Sequence, residues 1–488
     1  MKINSANKQK QGSGLRRMLG HASIYALGNI SRQLVGFLML PVYTRYLAPA
    51  DYGVIGLMTF SISLIELVFG ARLAQAIPKY YFDTQDANVK ARVVSTALII
   101  TGCVSSATTV AIVLLREPVS LGVFGTTQFS PIVGLFAIQI LTQAMEYYAL
   151  VYLRLQQRPW FYISVSLAKL VVQLSLNIWL VVFLEMGVLG VAISAMLSSS
   201  IFALLLLAYT LRHVGWGFES ALAKKMVIFC WPLWLAGFAG LYIGSANRYY
   251  LRIFSSLDDV GLLELASKFG VIVSLLIWEP FATYWQVERF KHYQQGNAEV
   301  FFQTVFTFIS TLMVLVALGV SIFSGPVIRI MSDPAFHQAA DAVPFLAFAT
   351  VFGCLTVFSN FSFLVKEKTG WISRNNYLTA IVITAFYLIL IPLAGFVGAA
   401  LAVMLAKCIQ FLIVHHAARR FYDMKISLKH LMRMIFFSAT SCFVSNIFLV
   451  RDKIIEDIIL KSLFFLVASM FIAFPLFRYF RDNKFKID

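Results

Sequence analysis

Residues 188–211 read VLGVAISAMLSSSIFALLLLAYTL, and no Asp, Glu, Lys or Arg interrupts them. The run is long enough to cross the hydrocarbon core of a bilayer as one helix, which takes about 20 apolar residues. A basic cluster begins directly after it, with Arg212 and then Lys224 and Lys225. The same alternation of apolar run and short basic loop extends in both directions. It predicts fourteen spans, near 18–42, 53–76, 93–115, 129–152, 162–184, 188–211, 226–250, 262–285, 300–323, 341–364, 376–393, 396–416, 432–450 and 458–477. Each span must be helical, because backbone exposed to lipid has to satisfy its own hydrogen bonds. The expected fold class is therefore an all-α polytopic membrane protein.

Composition excludes the other classes. The 488 residues are 59% hydrophobic and only 13% charged, whereas a soluble domain is about a quarter charged. Disorder requires the opposite balance. No cleavable leader is expected: residues 1–17 are polar and basic, and the first apolar run is too long for a signal core. The five cysteines (Cys103, Cys230, Cys354, Cys408 and Cys442) all fall in apolar segments without metal-ligand or disulfide spacing, and they read as packing residues.

The formal charge of +17 is a topology signal. With the N-terminus in the cytoplasm, the cytoplasmic tails and loops hold 26 Lys and Arg and the opposite side holds 6. Both termini are then cytoplasmic, and a nucleic-acid partner is not expected.

Two loops repeat each other. Arg45 leads through a short linker to Asp51-Tyr52-Gly53 and a new helix. Arg252 leads likewise to Asp259-Val260-Gly261 and a new helix. They lie six spans apart, so the halves insert the same way round, as a parallel repeat. The expected organisation is a cytoplasmic tail (1–17), an N-lobe (18–211), a linker (212–225), a C-lobe (226–416), two additional spans (417–477) and a cytoplasmic tail (478–488). A two-lobed transporter follows from that symmetry.

Ionisable groups inside spans cost about 2.5–3.5 kcal/mol each at the helix centre and mark candidate sites. The deepest cations are Arg32, Lys169 and Lys407, with Arg72, Arg248 and Lys268 nearer helix ends. The acids are Glu66, Glu146, Glu264 and Glu279. Helical spacing gathers polar stripes: His21, Tyr25, Gly28 and Arg32; Lys169, Gln173 and Asn177; Gln139, Gln143 and Glu146; Thr59, Ser63 and Glu66. Each stripe must face water or another helix. Alternatives stand beside this reading. Arg72, Arg248 and Lys268 can snorkel to headgroups, Glu66 or Glu146 can be the structural partner of a cation, and the Lys169 stripe can be interhelical glue. Positive side chains in both halves point to an anionic ligand, since Arg offers phosphate a fork of donors and Lys a point charge. No catalytic or metal-ligating set is expected.

Tyr25 to Asp83, with Leu40-Pro41, Arg45, Asp51-Tyr52-Gly53 and Ala76-Ile77-Pro78-Lys79-Tyr80-Tyr81, resembles the opening of bacterial polysaccharide flippases. Trp231-Pro232-Leu233, Asn247-Arg248-Tyr249-Tyr250 and Val260-Gly261 to Lys268 resemble that family's passage from span 7 to span 8. These are the Wzx-type, O-antigen or exopolysaccharide flippases of the multidrug/oligosaccharidyl-lipid/polysaccharide exporter superfamily. The family often has an acid where this chain has Asn247 and an aromatic residue where it has Glu264. The resemblance implies a V-shaped pair of six-helix lobes in the bacterial inner membrane, working by alternating access. The implied substrate is an oligosaccharide on a polyprenyl (undecaprenyl) pyrophosphate, and the implied partners are a polysaccharide polymerase and a chain-length regulator. Arg32, Lys169, Arg248, Lys268 and Lys407 would bind the pyrophosphate. Gln139, Gln143, Gln173 and Asn177 would line the sugar passage. Glu66, Glu146 or Glu264 would serve H+ or Na+ coupling, with no other cofactor. Spans 13 and 14 would shape a groove for the lipid tail. The alternatives are an ion-coupled drug or metabolite exporter of the same superfamily and a membrane glycosyltransferase or polymerase.

Overall fold

The computed structural model describes residues 36–37, 39–69, 73–294, 299–448 and 454–482. The described residues form eighteen α-helices joined by short turns, 3-10 segments and π segments, with no strand among them. Among the described residues, eight helices are long and apolar enough to cross a membrane: Pro49–Leu67, Ala87–Leu114, Pro159–Phe183, Gly187–Val214, Leu257–Gln286, Glu299–Met331, Pro334–Val365 and Gly370–Arg419. The chain is thus a multi-pass, all-helical membrane protein. Helices Ser130–Leu155, Ser220–Ser245, Leu428–Phe448 and Ile454–Asp482 lie where further spans are expected. Most of the first expected span lies outside the described residues.

The last of the eight reverses direction inside its length. Ala394 and Gly395 leave helical geometry, Gly395 at φ +51°, where an L side chain is strained. Pro392 just ahead removes a backbone donor. The break divides the helix between the expected spans 376–393 and 396–416. The second half is capped by Asp259, whose carboxylate accepts from the Phe396 N–H at 3.2 Å.

The chain forms two compact units. One comprises Met1–Leu47 and Leu57–Phe238, the other Ala48–Gly56 and Ala239–Asp488. The first is built on Val93, Val94, Tyr148, Tyr152 and Cys230. The second has a larger core, in which Trp285 stacks on Phe358 at 4.6 Å among Phe302, Phe306 and Phe361. Cys230, Cys354 and Cys442 are buried and Cys408 half-buried, in keeping with packing roles, whereas Cys103 is exposed.

The two repeated loops meet within the second unit. A Cβ on Gly53 would collide with the Leu257 carbonyl, and a Cβ on Gly261 would collide with the Pro49 carbonyl. Each carbonyl belongs to the residue four before the opposing glycine, so the two helix starts cross with near two-fold symmetry. Only residues without side chains let backbones approach this closely. The equivalent positions three residues on, Gly56 and Glu264, also face each other, and the Glu264 side chain lies against Gly56.

Candidate functional site

One cavity of about 380 Å³ opens in the first unit. Four elements build it. Helix Pro49–Phe69 supplies Glu66, and the turn Leu73–Gln75 supplies Ala74 and Gln75. Helix Ser130–Leu155 supplies Gln143, Glu146, Tyr147 and Tyr148, and helix Pro159–Asn177 supplies Lys169. The turn is anchored by the Ala74 N–H, which donates to the Tyr148 hydroxyl at 3.2 Å.

Lys169 Nζ donates to Glu146 Oε2 at 2.5 Å. The carboxylate is the more deeply placed partner, its side chain 9% exposed against 23% for the lysine. Removing two charges from water is offset only when they pair closely, and this pair does so at the cavity wall. Gln139 Nε2 reaches Gln143 Oε1 at 3.4 Å, which continues the polar stripe along the same helix. Tyr147 is half exposed, with the Arg154 guanidinium 5.9 Å from its ring centroid.

The expected residues therefore divide. Glu66, Gln143, Glu146 and Lys169 come together around one opening, with Gln139 bonded to Gln143. Gln173 is half-buried away from that lining. Asn177 is buried and accepts from Ser194 Oγ at 2.5 Å, a tether between two helices. Arg32 and Arg72 lie outside the described residues.

The second unit holds the remaining candidates. Arg248 forms an ion pair with Glu264, and Lys268 Nζ lies 5.5 Å from the Tyr52 ring centroid. Lys407 differs from these. Its Nζ donates to Gln410 Oε1 at 3.2 Å, and Gln410 Nε2 donates to Asn376 Oδ1 at 3.0 Å. Among the described residues no carboxylate forms an ion pair with Lys407. Sequence spacing makes Gln410 visible, three residues on, but not Asn376, which only the helix reversal brings near.

A second cavity, of about 580 Å³, lies in the same unit against helices Leu428–Phe448 and Ile454–Asp482. Met432, Met434, Phe436, Phe437, Phe471 and Ile472 make its lining apolar, and His430 and Arg433 supply the polar groups. Close by in sequence, Lys461 and Asp457 form a buried pair at 3.1 Å, 4% and 1% exposed. That pair is not among the expected site residues, although its i, i+4 spacing is a signal in the sequence. Among the described residues no group of His, Cys, Asp and Glu could hold a metal ion.

The described lining of the first cavity carries two carboxylates, Glu66 and Glu146, and one ammonium, Lys169.

Residues 19–284 match the family described as polysaccharide biosynthesis protein. The chain belongs to that family. No curated protein gives a significant match. Among solved structures, the polysaccharide biosynthesis chain is similar to the Lipid II flippase MurJ in an inward closed conformation. Identity is 12% with a TM-score of 0.78, over 94% of this chain and 99% of that one. It is also similar to an inward-facing multidrug resistance transporter of the MATE family in the MOP superfamily. That match has 13% identity and a TM-score of 0.61, over 80% of this chain and 95% of the other. A MOP superfamily transporter from Pyrococcus furiosus, described as having a binding pocket of reverse polarity, gives 14% identity and a TM-score of 0.51. It spans 83% of this chain and 97% of that one. At these identities the likeness is one of fold: the protein has the fold shared by MurJ and the MATE transporters.

Proposed function

We propose that this protein is a flippase. It carries an oligosaccharide repeat unit linked to polyprenyl pyrophosphate from the cytoplasmic to the outer leaflet of the bacterial inner membrane, for cell-surface polysaccharide biosynthesis. The observation that carries the reading is membership of a polysaccharide biosynthesis family by a chain whose polar cavity sits among membrane-spanning helices. The fold shared with a lipid II flippase supports it. So does the apolar cavity by helices Leu428–Phe448 and Ile454–Asp482, which would receive the polyprenyl tail beside the basic Arg433. Arg32, Lys169, Arg248, Lys268 and Lys407 are the candidates for the pyrophosphate, and Glu66, Glu146 and Glu264 for proton or sodium coupling. Polymerase and chain-length regulator would act downstream.

The test is movement of a labelled lipid-linked oligosaccharide across proteoliposome membranes. Arg32→Ala and Lys407→Ala are expected to lower the rate at least about tenfold, as removal of a charged group that holds a charged ligand does. Full activity in both would reject the anion-site assignment.

A second reading is an ion-coupled exporter of organic cations, and the two carboxylates at the first cavity favour it. Drug resistance on expression, without lipid flipping, would replace the first reading with the second.

A further inference from the structure

At one end of the second unit, four spans begin or stop together. Leu257–Gln286 ends there, Glu299–Met331 begins, Pro334–Val365 ends, and Gly370–Arg419 has both of its ends there. Ring contacts hold these ends side by side. Trp285 lies 5.5 Å from Phe302 and 6.5 Å from Phe361, Phe363 lies 6.2 Å from Trp371, and Phe302 lies 5.9 Å from Tyr422. An end shared by four spans lies at the depth of lipid headgroups, where Trp and Tyr gather.

Arg289 stands just past the first of these span ends, on helix Glu279–Gln294. Its guanidinium lies 5.2 Å from the Phe290 ring centroid and 5.4 Å from that of Phe361. The side chain is half-buried, and its Nε has no hydrogen-bond partner. Among the described residues no carboxylate pairs with it; the neighbouring Glu288 is taken by Lys291 and His292, at 3.6 Å each. One turn earlier on the helix, Trp285 is 2% exposed and its Nε1 is also unpartnered. Ser359 Oγ and Asn360 Oδ1, at the break just before helix Phe361–Val365, are unpartnered too. Buried polar groups are seldom left unpaired, and four beside one residue point to a partner from outside the chain. The turn after that short helix adds two exposed cations, Lys366 and Lys368, with Glu367 between them. The Lys368 N–H donates to the Phe363 carbonyl at 2.8 Å, which folds the turn back over the helix. Neither lysine is ion-paired among the described residues.

We propose that Arg289, with Lys366 and Lys368, binds a phosphate group at the membrane interface, carried as the headgroup of an anionic phospholipid. A guanidinium offers phosphate a fork of N–H donors. The Phe290 and Phe361 rings replace part of its hydration without neutralising its charge, so the charge stays available to a ligand. Each lysine near a membrane surface adds about fivefold in affinity for anionic lipid. The span ends put all three cations where a bilayer presents its phosphates. Inorganic phosphate carries the same oxygens, and competition separates the two sources. None of the three cations is a candidate for the pyrophosphate of the cargo, and the proposal does not rest on the flippase reading.

The test uses the whole protein in detergent, titrated with dioleoyl-phosphatidylglycerol or dioleoyl-phosphatidylcholine, with retained lipid counted by native mass spectrometry. Saturable retention of phosphatidylglycerol over phosphatidylcholine is expected. Arg289→Gln should weaken it about tenfold, the effect of losing a charge-assisted contact. Arg289→Lys, which keeps the charge and loses the fork, should fall between. Lys366→Gln and Lys368→Gln, on an exposed turn where folding is not at stake, should each weaken it about fivefold. Lys291→Gln, whose lysine is already held by Glu288, should leave it unchanged. Millimolar inorganic phosphate that displaces the lipid would show that the site takes phosphate from either source; retention in its presence would confine the site to lipid. Both of these results support a phosphate site. Equal retention of the two lipids by the unsubstituted protein overturns the proposal. So does phosphatidylglycerol retention that neither Arg289→Gln nor the two lysine substitutions reduce. Lipid flipping is not the readout, so failure here leaves the flippase reading standing, and failure of that reading leaves this site.

Discussion

At the scale of single residues, the Lys169–Glu146 pair is the most informative. Each member was visible in the sequence as an ionisable group within an apolar run, and each had a structural alternative. Their pairing was not visible, because the two residues lie on different helices and nothing in either stretch sets the helix rotation. Truncating one partner strands the other in a poorly hydrated place. We expect Lys169→Ala or Glu146→Ala to cost about 1–3 kcal/mol of stability, with the double substitution Lys169→Met, Glu146→Met recovering most of it. A double-mutant cycle in detergent-solubilised protein, read by thermal unfolding, measures the coupling; additive losses would mean the contact carries no energy. Asn177 teaches the complementary lesson. It shares the stripe of Lys169 and Gln173 by spacing, yet its carbonyl oxygen is taken by Ser194. Stripe membership says which way a side chain points, and only the neighbouring helix says what it meets.

At the scale of elements, the repeated Asp-x-Gly loops were legible as a pattern, and the structure supplies the reason for each residue. The aspartates cap helix starts: Asp51 accepts from the Ala48 N–H at 3.1 Å, and Asp259 caps the helix that follows Gly395. The glycines let the two helix starts cross. Gly261→Val is expected to force the backbones apart and cost about 1–3 kcal/mol, in the manner of an overpacked core. Thermal unfolding checks this, and an unchanged Tm would show that the crossing is loose. A clasp just past the helix Gly370–Arg419 gives a pH dependence. Asp423 accepts from Arg419 Nη2 at 3.1 Å and from the Lys425 N–H at 2.9 Å, while Lys425 Nζ reaches Glu299 at 2.5 Å. Burial alone would raise the Asp423 carboxyl; the Lys425 and Arg419 contacts outweigh it and hold the group below the ordinary carboxylate value. The clasp is therefore complete above about pH 4 and is lost as pH falls further through the lowered value. Hydrogen exchange at residues 420–427 should accelerate on acidification. Asp423→Asn should show the faster exchange already at neutral pH.

At the scale of the whole molecule, the charged cargo proposed above gives the sharpest expectation. A pyrophosphate head leaving a negative interior moves down the electrical gradient, each elementary charge contributing about 2.3 kcal/mol per 100 mV. Imposing an inside-negative potential on proteoliposomes should accelerate outward flipping severalfold. A rate independent of potential would mean that the head crosses electrically neutral, its charge matched by protons or sodium ions carried with it.

The sequence alone determined the solvent and the helical secondary structure. Hydrocarbon demands long charge-free helices, and such runs are continuous in the chain, so they can be recognised without knowing how they pack. Tertiary structure alone decided what each polar side chain meets. It set Lys169 against Glu146, Lys407 against the Gln410–Asn376 amides and Arg248 against Glu264, and it brought Glu66 and Glu146 to one cavity. Spacing along one helix tells which residues share a face. Contact depends on the rotation and depth of a second helix, which are set by packing over distant stretches of chain, and the electrostatics of a site follow from contact.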